Sequence, residues 1–346
     1  MKNSFKSYIV QIITWQARIY LAIAKPKIVA ITGSVGKTTT KNMIHAALVP
    51  RMKVAAARKS FNSEIGVPLT ILQLPNGKTS PLLWTIIIIR GLGKIIAALL
   101  HDRPEVIVCE VGTDGPGDIT SITQWLKPDI SVFTALAKDP VHLEFFPNRE
   151  ALFNEKKQLA IATKLEGAII YNADDQFLPE LLADTRAKKF SFGRAGQVKL
   201  VDSAVSLSQT GIGGTKVTLE YGRERGTVDL RKVLGEGYLM ATTAAAAVAI
   251  QLGVPFYEII ENIATNFIPE PGRGKVLKGK QGSVVIDETY NSSPKAVRAL
   301  LETVTKIPSP PLGRKILVLG DMKELGKREA AVHRQIGAEA AQTLQG

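Results

Sequence analysis

The chain has almost no cysteine: Cys109 is the single one in 346 residues. That excludes a disulfide framework and any zinc site built from cysteines, and it points to a reducing compartment. Internal repeats, low-complexity tracts, a signal-peptide pattern and a recognition-helix or RNA-reading motif are also missing from the sequence. A cytoplasmic location, without nucleic acid as a partner, is therefore expected. Acid is scarce relative to base: 44 Lys plus Arg stand against 31 Asp plus Glu, a formal net charge of +13. Such a surplus attracts polyanions, here anionic lipid or nucleotide-bearing substrates, unless it is only a solvated basic surface.

Long uninterrupted apolar runs are lacking too. Residues 8–24, YIVQIITWQARIYLAIA, carry Gln11, Gln16 and Arg18. Ser7, Gln11, Thr14, Arg18 and Lys25 recur at near-heptad spacing, which predicts a helix with one polar stripe. Residues 81–100, PLLWTIIIIRGLGKIIAALL, are broken by Arg90, Gly91, Gly93 and Lys94. The unbroken part falls short of the about 20 residues of a spanning helix. Both segments leave two readings open: peripheral contact with the inner face of a membrane, or packing on the chain's own domain.

What is present is an alternation of strands and helices. The length favours two domains. KIVAIT (27–32), EVIVCEVG (105–112), DISVFTAL (129–136) and GAIIYNADD (167–175) read as short buried strands between helical stretches. They predict an α/β fold with a mostly parallel central sheet covered on both faces. Residues 197–230 are β-branched and Gly-punctuated, which predicts a small antiparallel patch. PEPGRG (269–274) reads as a hinge. SVVIDETY and KILVLGDM then read as strands of a second α/β unit. The expected division is an apolar helix at 1–26, a central domain at 27–268 and a second unit at 269–346. That last unit is short for its type, which leaves a truncated chain or a reduced domain open.

The strongest motif is AITGSVGKTTT, residues 30–40. The common phosphate loop G-x-x-x-x-G-K-[ST] would need its first glycine at Ile31; here the upstream glycine is Gly33. The segment follows a strand and opens a helix, the setting in which backbone N–H groups and a helix N-terminus face a phosphate. Gly33, Ser34, Val35, Gly36, Lys37, Thr38 and Thr39 are thus the expected ATP-binding segment. Lys37 would reach the outer phosphates and the Thr38 hydroxyl would bind Mg²⁺. Glu110 ends a strand, where a carboxylate faces the ligand crevice of a parallel sheet.

With its shortened spacing, T-G-x-x-G-K-T-[ST] resembles the ATP loop of the Mur ligase superfamily. The resemblance makes Glu110 an Mg²⁺ ligand and gives His142, in PVHLEFF, a share in a second Mg²⁺. It matches Lys156, in EKKQL, to a lysine that many members carbamylate, with Lys157 competing for the alignment and a merely solvated lysine as the alternative. SFNSEIGVPLT (60–70) resembles a segment of the MurF branch, which makes Asn62 and Ser63 candidate substrate contacts. IDETYNSSP (286–294) and GDMKELG (320–326) resemble two more of that branch's motifs. By the same resemblance Arg273 contacts phosphate, Asp287 or Glu288 faces the ribose, and Tyr290 and Asn291 lie near the nucleotide.

The resemblance implies a central P-loop-type ATPase domain followed by a Rossmann-like unit, here incomplete. It implies an ATP- and Mg²⁺-dependent carboxylate–amine ligase of peptidoglycan precursor synthesis. The partners would be a nucleotide-linked muramoyl peptide and D-Ala-D-Ala, and the enzyme a monomer. Departures are clear. The branch's UDP-holding first domain has no counterpart in the 26 residues before KIVAIT. GYLMATT (237–243) puts Leu239, Met240 and Thr243 where the family has His, Asn and Asn. Ser293 replaces an asparagine. These departures keep two alternatives: a folylpolyglutamate-type or other amide ligase, and a non-catalytic ATP-binding, membrane-associated subunit.

Overall fold

The computed structural model describes residues 3–136, 145–208, 211–307, 314–323 and 325–345. In chain order the larger part runs α1 (Asn3–Ala24), β1 (Lys27–Thr32), α2 (Lys37–Leu48), β2 (Val54–Ala56), α3 (Gly66–Leu72), α4 (Pro81–Leu99), β3 (Val106–Glu110), α5 (Asp118–Thr123), β4 (Ile130–Phe133) and α6 (Arg149–Ile161). It continues with β5 (Ala168–Asn172), α7 (Leu178–Leu181), β6 (Lys188–Gly193), β7 (Val198–Ser208), β8 (Gly211–Tyr221), β9 (Glu224–Arg231), α8 (Glu236–Gln251) and α9 (Phe256–Asn266). A smaller part follows: β10 (Lys275–Lys278), β11 (Val284–Asp287), α10 (Pro294–Thr305) and α11 (Glu329–Gln345).

The first nine strands make one sheet in the order β2-β3-β1-β4-β5-β6-β7-β8-β9. Pairings from β2 through β7 are parallel; β7-β8-β9 is an antiparallel meander. Successive strand residues point to opposite faces. In β1, Val29 and Ile31 join the core under α2, α8 and α9, whereas Ile28 and Ala30 join the core shared with α1, α3 and α4. All five residues of β3 are buried, as a strand covered on both faces requires. Cys109 lies among them, and burial pushes its thiol up to about 12.

The chain leaves β1 for the β2 edge, returns to β3, and crosses β1 to reach β4. Strand order therefore reverses around β1. The crevice outside the carboxyl ends of such strands is where ligands bind in open α/β sheets.

The smaller part differs from the expectation in one respect. SVVIDETY does form β11, but as the antiparallel partner of β10. KILVLGDM forms no strand: Ile316, Val318 and Leu319 are 76%, 90% and 40% exposed. An apolar run becomes a strand only where a neighbouring edge takes up its backbone donors and acceptors, and no such edge faces it among the described residues. The local core is instead made by Val297 and Leu301 of α10, Met322, and Val332 and Ile336 of α11. Ser293 caps α10, its Oγ accepting from the Ala296 N–H at 3.3 Å.

Candidate active site

The loop between β1 and α2 is laced to the end of β4. The Ser34 N–H donates to the Ala135 carbonyl at 2.7 Å, and Thr134 Oγ1 donates to the Val35 carbonyl at 2.6 Å. Gly33 is required by contact: a Cβ there would stand 2.1 Å from Thr134 Oγ1, at a φ of +146°. Gly36 caps α2 with φ 83°, a left-handed conformation that glycine adopts freely. The turn thus presents the unpaired N–H groups of the first turn of α2, a ready site for an anion. Lys37 Nζ folds back on the Gly33 carbonyl at 2.7 Å. Enclosure of this ammonium lowers its pKa, Glu110 opposes that effect, and Arg273 adds to it.

Parallel pairing of β1 with β3 sets Ile31 beside Glu110, so the carboxylate ends up next to the loop. It is 1% exposed. Thr38 Oγ1 and Ser60 Oγ both donate to its Oε2, at 3.0 and 2.8 Å. Lys41 Nζ stands 3.0 Å from its Oε1, too poorly angled for a hydrogen bond, and donates to the Lys59 carbonyl at 3.1 Å. The sequence reading missed Lys41 and Ser60. Lys41 lies one turn beyond Lys37 on the same helix, a spacing that could have pointed to it.

Lys156 reaches this place from α6, whose start is capped by Asn148 Oδ1 accepting from Ala151 N–H at 2.8 Å. The side chain is buried and lines one cleft with Gly33, Ser34, Lys37, Asn62, Gly112, Thr113 and Asp114. Burial first, and Lys37 second, bring its pKa down to about 7, against the pull of Glu155 and Asp114. Lys157 points elsewhere and pairs with Asp184 at 2.7 Å. Geometry thus separates the two lysines that the sequence left in competition. His142 lies outside the described residues.

Asn62 borders the cleft, and its carbonyl accepts from Gly112 N–H at 2.8 Å. Ser63 is exposed, its Oγ accepting from Gly66 N–H at 3.3 Å. Thr39 is half-buried on α2. The later candidates gather around the hinge. Arg273 stacks over the Tyr290 ring at 3.9 Å and pairs with Glu270 at 3.0 Å, while Tyr238 Oη donates to its carbonyl. Asn42 of α2 donates to the other oxygen of Glu270 at 2.6 Å. Asp287 accepts from Gly272 N–H and from Thr289. Burial pushes Glu288 up to about 7, with Arg273 opposing. Asn291 is exposed and accepts from the Ser292 N–H. Leu239 belongs to the main core, and Thr243 Oγ1 donates to the Leu239 carbonyl at 2.8 Å. Neither presents a free polar group.

The donor set suits Mg²⁺. Thr38, Ser60 and Glu110 offer hard oxygen atoms at one point beside the phosphate loop. Among the described residues no three His, Cys, Asp or Glu side chains converge. That favours a cation which keeps waters and phosphate oxygens in its shell over one held in an all-protein cage.

A profile of the Mur ligase middle domain matches residues 31–82 and 89–249. The chain belongs to the Mur ligase family. A profile of the Mur ligase glutamate ligase domain matches residues 272–345. The UDP-N-acetylmuramoyl-tripeptide–D-alanyl-D-alanine ligase of Bacillus subtilis is 27% identical, over 93% of this chain and 62% of its own length. The structure of MurF ligase from Thermotoga maritima in complex with ADP superposes with a TM-score of 0.77 at 27% identity, covering 97% of this chain and 69% of that one. MurF from Acinetobacter baumannii shares the fold, with a TM-score of 0.78 at 24% identity over 96% of this chain and 65% of that one. The chain spans 55% to 62% of the length of the first curated relatives it matches. In this Mur ligase the matched middle region contains the phosphate loop, Glu110 and Lys156.

Proposed function

We propose that this Mur ligase is an ATP-dependent carboxylate–amine ligase of peptidoglycan precursor synthesis, joining D-Ala-D-Ala to a UDP-muramoyl tripeptide in the cytoplasm. The observation that carries the reading is the gathering of Lys37 and Lys156 on one cleft beside the phosphate loop, with Thr38 and Glu110 hydrogen-bonded next to it. The name of the Bacillus subtilis relative supports the substrates, and the ADP of the Thermotoga maritima structure supports the nucleotide. The proposed units are 27–268 and 269–346, behind the 1–26 helix. Positive-φ Gly272 and Gly274 support a joint between them.

In this reading the loop of residues 33–39, through N–H groups other than that of Ser34, and the side chains of Lys37 and Arg273 hold the phosphates of ATP. Asp287 or Glu288 faces the ribose, with Tyr290 and Asn291 nearby. Thr38 and Glu110 would hold one Mg²⁺, and His142 with a carbamylated Lys156 would hold another; when bound, such ions would supply positive charge to offset what builds on the phosphate oxygens. Asn62 and Ser63 face the muramoyl peptide.

A carboxylate is a poor electrophile, because its charge repels an amine and oxide is a poor leaving group. Transfer of the γ-phosphoryl group to a carboxylate oxygen removes both obstacles. The amine then attacks the acyl carbon, loses a proton, and phosphate departs with the bonding pair. The protein contributes position and fixed charge. For Lys156, a pKa of about 7 leaves a substantial neutral fraction at neutral pH. Only a neutral amine attacks CO₂, and the product is an anion able to bind metal.

Phosphate release with the full-length protein tests the reading. ATP, UDP-muramoyl tripeptide and D-Ala-D-Ala are omitted in turn, and release should require all three. ATP binding without amine-dependent release would leave a non-catalytic nucleotide-binding subunit. Release with a different acid and amine would leave another amide ligase.

A further inference from the structure

Helix α4 departs from the pattern of a surface helix, which turns an apolar stripe inward and a polar face outward. In α1, Ile9, Ile13 and Ala17 are buried, and polar Ser7, Gln11 and Arg18 share the exposed side with Tyr8, Ile12 and Trp15. In α4, Trp84, Ile87, Gly91 and Ala98 are buried. This is the side facing α1: Gln16 Nε2 donates to the Ile88 carbonyl at 2.9 Å, and a Cβ on Gly91 would meet Gln16 Oε1 at 2.2 Å. The opposite side is apolar as well. Leu82, Ile86, Ile89, Ile96 and the following Leu100 recur at helical spacings of four, three, seven and four residues, and are 70%, 42%, 62%, 58% and 75% exposed.

Neither α1 nor α4 contains an acidic residue. Acid nearby lies off the stripe: Glu64 is paired with Lys6 of α1 at 2.8 Å, and Asp102 follows the end of α4. Arg90 and Lys94 flank the stripe on α4, and the whole chain carries +13. By length and composition α4 could cross a membrane. However, one side of it is engaged with α1, and Arg90 and Lys94 interrupt its circumference. A helix with these properties lies in the plane of a bilayer interface. A second copy of the chain would bring Arg90 and Lys94 against their own counterparts; an anionic lipid surface complements them.

We propose that the outer face of α4, the side turned away from α1, docks on an anionic lipid bilayer, with the helix lying at the boundary between headgroups and acyl chains. The protein would then work at a membrane surface while its phosphate loop, which opens at the carboxyl ends of β1 and β3, stays accessible from water.

Full-length protein is mixed with vesicles of phosphatidylcholine containing phosphatidylglycerol, or of phosphatidylcholine alone, and sedimented. The expected result is sedimentation with the anionic vesicles and at least tenfold weaker binding at high salt. The double substitution Ile89→Ser and Ile96→Ser, at exposed positions, should weaken vesicle binding at least tenfold and leave ATP binding and the melting temperature unchanged. Arg90→Ser with Lys94→Ser should remove the preference for anionic vesicles. Failure to sediment with either vesicle overturns the proposal. So does self-association in the absence of lipid that the Ile89→Ser, Ile96→Ser variant abolishes, which would make this face a contact between copies.

Discussion

Lys41 and Glu110 face each other at 3.0 Å with 1% of each side chain exposed. Removing one partner of a buried pair strands the other charge, at a cost of about 3–5 kcal/mol. Lys41→Met is therefore expected to lower the denaturant midpoint strongly, and Glu110→Gln less so, because Thr38 and Ser60 can still donate to the amide oxygen. The double variant should lose less than the sum of the two. Additive losses in that cycle would show that the pair is not coupled.

Lys37→Ala removes the charge that the proposed function assigns to the ATP phosphates. Phosphate release should fall by about 10²-fold or more, the size of losing one charge-stabilising donor, with the melting temperature nearly unchanged. Nucleotide affinity is read in parallel by titration calorimetry; turnover close to normal would remove Lys37 from the site.

Lys156 makes stability depend on pH. Its pKa is about 7 in the fold and 10.5 ordinarily, so between those values the unfolded chain holds the extra proton. Stability rises with pH in that window: the cost of burying the ammonium is complete below about pH 7 and vanishes towards pH 10.5. Lys156→Met should flatten this part of the melting-temperature profile. If Lys156 carries a carbamate in the proposed reaction, activity of Lys156→Ala should be partly rescued by short carboxylic acids. CO₂-free buffer should lower wild-type activity, and intact-protein mass should show whether the lysine carries a carbamate.

Gly33→Ala would drive a methyl group into Thr134 at a backbone angle that alanine avoids. Destabilisation of about 1–3 kcal/mol is expected, together with weaker nucleotide binding because the loop must shift. Gly337→Ala is the contrast. It sits inside α11 with open space at its Cβ position, and should gain about 1 kcal/mol. Thermal melts of the two variants should move in opposite directions.

The phosphate loop, Glu110 and the four central strands were legible because their signals are local: a strand, a glycine turn and a helix start occupy consecutive residues. The partners of Glu110 were not. Ser60 lies 50 residues away in sequence, and only parallel pairing of β1 and β3 brings the pieces together. Spacing could not choose between Lys156 and Lys157, since adjacent helix positions differ by about 100° of rotation and only packing of α6 decides which faces inward. KILVLGDM was misread for a related reason: apolar composition marks a strand's character, but a ladder needs a second edge. The apolar nature of α4 was plain in the sequence. Which side of it meets α1, and which is left outward, follows only from tertiary contacts.

Glu270 ties the helix that opens with Lys37 to the segment at Gly272. One of its oxygens accepts from Asn42 on that helix, and the other pairs with Arg273. A swivel of the following residues about Gly272 would have to stretch the Arg273 end of this tie, so rotation there and the position of α2 would be coupled through one carboxylate.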